Sequence, residues 1–195
     1  MGIIVEHESM DGFEYVETLP WTEEGAKHEW NEEIKLSLNE KDIPLRWPGM
    51  SEEIIEEKYP YLLSPNSFAD ALTNAPIQNL SLSDMKEIYN LSAVNDIIKI
   101  YEKGGTPQDV YDDSLEFFKG LDTQTDADAE GNTYSKDSSY NRWVKKFKEG
   151  EEIDVAPVVI ILPDGSLAHI AGQTRQTGAL TNKKILPYVI LKPIQ

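Results

Sequence analysis

Apolar side chains recur at helical spacing through most of the first 120 residues. Trp30, Ile34 and Leu38 follow one another every four residues, which places them on one face of a helix. A second stripe has the i, i+3, i+4, i+7 spacing and consists of Val94, Ile97, Ile98 and Tyr101. Such stripes are typical of helices that pack one side on a core. The pattern therefore predicts a largely helical first part.

Polar residues mark where these helices are expected to begin. Thr22, Ser51 and Thr106 each stand just before acidic residues and an apolar stripe, which is the arrangement of an N-cap. Ser83 and Ser92 are expected to begin two further helices in the same way. Residues 64–78 show no clear period and contain two prolines, so they predict a loop with at most a short helix.

The last third of the chain has the pattern of strands. Residues 155–162 are a nearly continuous apolar run, as in a strand buried on both faces, and residues 167–171 form a second run after the turn residues Asp164 and Gly165. These two runs predict a hairpin. Gly172 follows at once, Thr174 is expected to cap a short helix, and residues 186–191 predict a closing strand.

Just before these strands, the residues that follow Ser139 predict a two-sided helix that ends at Gly150. Its apolar face holds Trp143, Val144 and Phe147. Its basic face holds Arg142, Lys145, Lys146 and Lys148. At the other end of the chain, the runs 3–5 and 13–16 flank a turn signal and predict a β-hairpin.

Together these elements predict an α+β protein. A helical N-terminal part, residues 1–137, is expected to pack on a small mixed sheet formed within residues 138–195. A length of 195 residues fits one domain, with an extension at most.

Charge divides the chain at the same place. The formal net charge is −17; residues 1–137 carry 10 basic and 30 acidic side chains, whereas residues 138–195 carry 8 basic and 5 acidic ones. A surface so acidic repels the phosphate backbone, which disfavours nucleic-acid binding. The first part is interpreted either as a solvated acidic shell or as a nucleic-acid mimic that captures or inhibits a basic partner protein.

Composition excludes several classes of site. The chain has no cysteine, so disulfides, thiolate metal sites and cysteine nucleophiles are excluded. No apolar run approaches the roughly 20 residues that a membrane span needs. The first residues lack the basic and apolar regions of a secretory signal. We therefore expect a cytoplasmic protein without a membrane partner.

Residues 126–137 approximate an EF-hand calcium loop. Asp126, Asp128 and Glu130 take the first, third and fifth positions, Gly131 takes the sixth and Asp137 the twelfth. The alternative is a solvated acidic loop without a metal ion. Calcium held by these carboxylates is thus one of two hypotheses for this segment.

Gly172 to Arg175 have the composition of an anion-binding helix start. Glycine lets the backbone approach a ligand, and the first N–H groups of a helix are unpaired and lie at the positive end of its dipole. Arg175 falls in the first turn, where a cation opposes the dipole and where a guanidinium can hold a phosphate through two hydrogen bonds. The alternative is a tight turn in which Arg175 pairs with an acid.

The same segment resembles a known family. An apolar strand (157–159), a turn at Asp164 and Gly165, and a G-x-x-R loop that opens a helix with small residues at Gly178 and Ala179 look like the ParB/sulfiredoxin superfamily. The resemblance covers about residues 139–195 and implies a ParB/sulfiredoxin-like sheet. It also implies a nucleotide site in which Gly172, Gln173, Thr174 and Arg175 hold the phosphates, with ATP or CTP and Mg²⁺ as the expected ligands.

Two departures narrow what the resemblance implies. Sulfiredoxin has a cysteine directly after the loop glycine, and Gln173 stands there, so sulfinic-acid repair is excluded. ParB has an arginine-rich loop, and this chain has Arg175 alone, which disfavours partition-site binding. A kinase-like phosphotransferase is the leading enzymatic hypothesis, and a ParB-like nuclease or a non-catalytic acidic interaction protein are its alternatives.

A phosphotransferase needs a cation on the transferred phosphoryl group and a carboxylate for the metal or for the acceptor hydroxyl. Arg175 is the expected cation. His169, just before the loop, is a candidate acid or base, with a structural histidine as the alternative. The nearest acids in the sequence leave the carboxylate open between Glu151, Glu152, Asp154 and Asp164.

Overall fold

The computed structural model describes residues 12–121, 125–127, 132–150 and 155–195. It confirms an α+β fold in which helices outnumber short strands. In chain order the helices are α1 (Glu23–Glu29), α2 (Lys35–Ser37), α3 (Ile43–Arg46), α4 (Glu52–Lys58), α5 (Pro65–Asn74), α6 (Leu82–Lys86), α7 (Ser92–Glu102), α8 (Pro107–Lys119), α9 (Lys136–Glu149) and α10 (Gln173–Thr181). The strands are β1 (Glu14–Tyr15), β2 (Ile77–Gln78), β3 (Thr125–Ala127), β4 (Thr133–Ser135), β5 (Val158–Ile161), β6 (Leu167–Ala171), β7 (Lys184–Ile185) and β8 (Tyr188–Leu191).

A four-stranded mixed sheet in the order β2-β8-β5-β6 forms the centre of the molecule. β5 and β6 are the predicted antiparallel hairpin, with a turn in which Gly165 adopts a positive φ of 88°. β8 returns parallel to β5, and β2 adds antiparallel to the other side of β8. β2 therefore brings a segment of the helical part into the sheet.

Both faces of this sheet are covered by helices. Val158 and Ile160 of β5 pack into a core with Trp30, Phe68 and other residues of the segment 26–72. Val159, between them on the strand, points to the opposite face and packs with residues of the segment 80–110. Residues from both sides of position 137 build both cores, and the proposed division of the chain at that position stays a prediction.

Several predicted helix starts are confirmed by their side-chain hydrogen bonds. Thr22 Oγ1 accepts from the Gly25 amide, and Ser51 Oγ accepts from the Ile54 amide. Thr106 and Asp109 form a reciprocal capping box, in which each side chain accepts from the other residue's amide.

Other predictions in the helical part differ from the structure. Residues 65–74, within the predicted loop with at most a short helix, form a helix of ten residues, because Pro65 occupies its first turn and Ser64 caps it. Ser81 rather than Ser83 caps α6, and α7 follows Leu91, with Ser92 inside the helix.

The predicted N-terminal hairpin has only one strand within the described residues. That strand, β1, pairs in parallel with β7, near the end of the chain. The other run, at positions 3–5, lies outside the described residues. No helix in the described part of the chain is long and apolar enough to cross a membrane.

Candidate anion-binding cleft

A cleft of about 900 Å³ opens between α9 and α10 on one side and the segment from α1 to α3 on the other. The predicted G-x-x-R loop lies along it, since Gly172, Gln173, Thr174 and Arg175 all line the cleft. This volume is near the upper end of the range of about 300–1,000 Å³ that small-molecule sites occupy.

Gly172 is the residue that lets the chain turn from β6 into α10. Its φ of 94° lies in the left-handed region, and a Cβ at this position would stand 2.7 Å from Pro157 Cα. Both features require glycine. Gly172, not Thr174 as predicted, is the N-cap residue, and it has no side chain with which to cap the helix. Among the described residues, no acceptor contacts the amides of Gln173 and Thr174.

Arg175 folds back from the first turn of α10 toward α9. Its Nη1 donates to the carbonyl oxygen of Val155 at 2.9 Å, and its Cζ lies 5.2 Å from the centre of the Trp143 ring. The carbonyl and the indole hold the guanidinium at the wall of the cleft in a fixed orientation.

Two further cations lie around the same indole. Arg142 Cζ is 5.1 Å and Lys146 Nζ 5.2 Å from the centre of the Trp143 ring. Both residues line the cleft, and in the part of the chain that the structure describes neither has a carboxylate within 4.0 Å. We call Arg142, Lys146 and Arg175 the basic wall.

α9 can approach α10 closely because of a second glycine. A Cβ at Gly178 would stand 2.7 Å from Trp143 Cβ and 3.2 Å from the backbone of α9. Lys145 and Lys148, on other faces of α9, are exposed and do not line the cleft. The basic face predicted from the sequence is therefore divided, and only Arg142 and Lys146 point inward.

The opposite side of the cleft is acidic. Glu29, Glu32 and Glu33 line it, at the i, i+3, i+4 positions where α1 continues into a single π-helical turn at Trp30–Ile34. Trp30 and Ile34 face the core, so these glutamates lie on the other side of the same helix. Local π turns are frequent at functional sites. We call Glu29, Glu32 and Glu33 the acidic wall.

The carboxyl groups of the acidic wall differ in environment. Glu33 forms an ion pair with Arg46, at 3.5 Å between Oε2 and Nη2. Glu29 is half-buried and lines the cleft, and desolvation, followed by the charge of Glu33, raises the pKa of its carboxyl group to about 7. Arg175 acts in the opposite direction on the pKa of Glu29, which indicates that the two walls interact across the cleft.

His169 lies in β6 at one end of the cleft. Its backbone is fixed, because its amide donates to Tyr89 and its carbonyl oxygen accepts from Trp47 Nε1 at 3.4 Å. Its Nδ1 is buried and has no partner among the described residues. Burial, and secondarily the charges of Arg46 and Lys136, lower the pKa of His169 to about 3. The imidazole is therefore neutral near pH 7 and has hydrogen-bonding capacity but no charge.

The side chain of Gln173 is bound to a neighbouring helix, and Thr174 is buried. Gln173 Oε1 accepts from the Ala93 amide at 3.1 Å, at the start of α7. The Thr174 carbonyl oxygen accepts from Thr177 Oγ1 within α10. The backbone amides of Gln173 and Thr174 remain for an anion.

The residues of the predicted calcium loop are only partly described. Asp126 lies in β3, and its carboxylate pairs closely with Lys136 Nζ. Asp128 and Glu130 lie outside the described residues, so calcium at this segment stays a prediction. Within the described ranges, no group of three or more His, Asp or Glu side chains is arranged to hold a metal ion.

Of the acids that lie near the loop in the sequence, Asp164 is not among the described residues that line the cleft. Asp164 is exposed in the hairpin turn and accepts from Ser166, and Glu151, Glu152 and Asp154 lie outside the described residues. The acidic wall comes instead from a helix some 140 residues earlier in the chain. Its signal in the sequence is the acidic i, i+3, i+4 stripe opposite Trp30 and Ile34, which resembles an ordinary solvated helix face.

No family model, curated protein or solved structure matches this chain.

Proposed function

We propose that the cleft binds a nucleoside triphosphate with Mg²⁺ and supports transfer of a phosphoryl group. The phosphates lie against the basic wall and the amides of Gln173 and Thr174. The acceptor lies toward the acidic wall. This extends to the whole cleft the role that the resemblance to the ParB/sulfiredoxin superfamily implies for Gly172 to Arg175.

The observation that carries the proposal is the gathering of Arg142, Lys146 and Arg175 within about 5 Å of the single Trp143 ring. Cations gathered on one wall of a partly desolvated cleft attract a negatively charged ligand. Guanidinium groups are suited to grip phosphate, and a ligand with several negative oxygens can contact more than one of the three side chains, so a polyphosphate fits best.

Glycine and helix geometry support the same ligand. Gly172 lets the backbone approach without a Cβ, and α10 directs its first amides and the positive end of its dipole at the cleft. The N-terminus of a helix favours phosphate binding, and the basic wall lies beside the N-terminus of α10.

Glu29 supplies the carboxylate that phosphoryl transfer needs. A group whose pKa is about 7 is partly deprotonated near neutral pH, which suits a base that accepts the proton of an acceptor hydroxyl. Glu32 adds a second carboxylate, whose oxygens are of the kind that Mg²⁺ prefers and would hold this ion together with the phosphates. The ion would neutralise the negative charge that develops during transfer. His169, neutral and with a buried Nδ1, orients a polar group of the ligand through a hydrogen bond.

Calorimetry with ATP, CTP and GTP in the presence of Mg²⁺ tests binding. We expect the wild type to bind at least one nucleotide, and the pair Arg142→Gln/Lys146→Gln to bind it at least about tenfold more weakly, since each lost charge-assisted bond is worth roughly 1.5–3 kcal/mol. Arg175→Ala is expected to weaken binding as strongly.

The matched control is Lys145→Gln/Lys148→Gln, which removes two charges from the exposed faces of the same helix. Equal loss of affinity in both pairs means that net charge, rather than the cleft, governs binding. Absence of heat with all three nucleotides contradicts the proposal. Phosphoryl transfer is measured separately as release of the nucleoside diphosphate. We expect Glu29→Gln to abolish this release and to leave nucleotide binding unchanged.

A further inference from the structure

Two leucines at the mouth of the cleft are turned toward solvent. The exposed fraction of Leu36 is 71% and that of Leu45 is 77%, the highest of the large apolar side chains in the described part of the chain. Both residues line the cleft, Leu36 from α2 and Leu45 from α3. Single exposed leucines are ordinary on protein surfaces, whereas here two strongly exposed leucines line one cleft, which is the kind of apolar surface that a partner covers.

Each leucine is accompanied by an acidic side chain one helical turn earlier. Glu32 precedes Leu36 by four residues, and Asp42 precedes Leu45 by three. Both acids line the cleft and are exposed, and neither has a basic partner within 4.0 Å among the described residues. Asp42 Oδ2 accepts from Asn39 Nδ2, which orients the carboxylate but leaves its charge uncompensated.

We propose that this mouth docks a segment of a partner protein that carries basic and apolar side chains at matching spacing. The lysines or arginines of the segment pair with Glu32 and Asp42, and its apolar side chains cover Leu36 and Leu45. Charge complementarity determines the choice of occupant. A second copy of this chain brings the same carboxylates against each other, and an anionic membrane or nucleic acid meets the same repulsion.

The proposed docking surface consists of Glu32, Leu36, Asp42 and Leu45, and it is separate from the basic wall. It lies on the acidic side of the cleft, at its rim, whereas the basic wall faces it from α9 and α10. The proposed docking therefore does not depend on nucleotide, and its test is carried out without nucleotide.

Fluorescence anisotropy with two short labelled peptides tests the inference. One peptide carries two leucines four residues apart, each flanked by lysines, with glycine and serine elsewhere; the other has glutamate in place of every lysine. In ~0.1 M salt, where surface charges remain only partly screened, we expect the lysine peptide to bind and the glutamate peptide not to bind.

Two pairs of variants with matched controls locate the binding. Leu36→Ser/Leu45→Ser is expected to weaken binding of the lysine peptide about tenfold, whereas Leu19→Ser/Leu63→Ser, which alters two exposed leucines elsewhere, leaves it unchanged. Glu32→Gln/Asp42→Asn is expected to weaken it, and Glu52→Gln/Glu53→Gln on the exposed side of α4 is expected to have a much smaller effect. All eight substituted positions are exposed, so we expect these variants to leave the core intact.

Several outcomes overturn the inference. Equal weakening by the mouth variants and by their controls shows only attraction to an acidic surface. Binding of neither peptide, or of both equally, removes the charge argument. If the leucine pair weakens nucleotide binding and leaves the peptide unaffected, the leucines belong to the nucleotide site. Self-association in sedimentation that the leucine pair abolishes assigns the mouth to a second copy of the chain.

Discussion

The carboxyl group of Glu29 makes the stability of the protein depend on pH. Burial raises its pKa to about 7 in the folded protein, from an ordinary value of 4.5. The folded state therefore keeps a proton that the unfolded state releases, and stability falls as pH rises from about 4.5 to 7 and then stays low. We expect Glu29→Gln to stabilise the protein by about 1–3 kcal/mol at pH 8 and by much less at pH 5.

Urea unfolding of the wild type and Glu29→Gln at both pH values measures this difference. Glu24→Gln, on an exposed position of the same helix, is the control and should leave the pH dependence as in the wild type. If Glu29→Gln has the same effect at pH 5 as at pH 8, the carboxyl group of Glu29 is solvated in the folded protein.

At the scale of elements, the contact between α9 and α10 determines where the basic wall lies. Gly178→Ala adds a Cβ 2.7 Å from Trp143 Cβ, and neither backbone can move away without shifting a whole helix. We expect it to destabilise the protein by about 1–3 kcal/mol despite the higher helix propensity of alanine. Because Arg142 and Lys146 move with α9, the variant should also bind nucleotide more weakly.

Chemical unfolding and calorimetry check both effects of Gly178→Ala. Gly120→Ala is a suitable control, since its Cβ would meet only carbonyl oxygens, none closer than 3.3 Å, at the end of α8. It should be neutral or slightly stabilising. If the two variants prove equally stable, α9 and α10 are not in close contact at Gly178.

The elements that local chemistry controls could be predicted from the sequence. The caps at Thr22 and Thr106 act within three residues of themselves, and the hairpin of β5 and β6 is signalled by its Asp164 and Gly165 turn. The full length of α5 is not predicted, because prolines indicate a break in the pattern, whereas Pro65 is well accommodated in the first turn of the helix. Thr174 is not the cap, because the chain turns two residues earlier, at Gly172.

The candidate site could be predicted only on one side. Gly172 and Arg175 belong to a strand, a glycine and a helix that follow one another directly in the sequence. Their arrangement can therefore be predicted from the sequence. Glu29 and Arg142 reach the cleft through tertiary packing, and nothing in their neighbourhoods distinguishes them from other charged residues of a chain with 35 acidic side chains. Long-range contacts of this kind require the fold itself.

At the scale of the whole molecule, β8 holds the two cores together. It lies between β2 and β5, and its residues Val189 and Ile190 pack on opposite faces of the sheet. We expect a chain that stops before Tyr188 to lose cooperative unfolding and to bind a hydrophobic dye, because both helical layers then lack their central strand. Circular dichroism melting and dye fluorescence measure this, and a cooperative transition like that of the full chain would contradict it.

The position of β8 in the chain also bears on how the protein is made. The ribosome delivers the helices that cover both faces of the sheet long before it delivers the strand on which they converge. Until Leu191 has left the exit tunnel, the nascent chain exposes the apolar sides of those helices, a state in which chains aggregate or recruit chaperones. Their dense negative charge keeps such nascent chains apart by mutual repulsion, so the acidity of the first part protects the protein before it has folded.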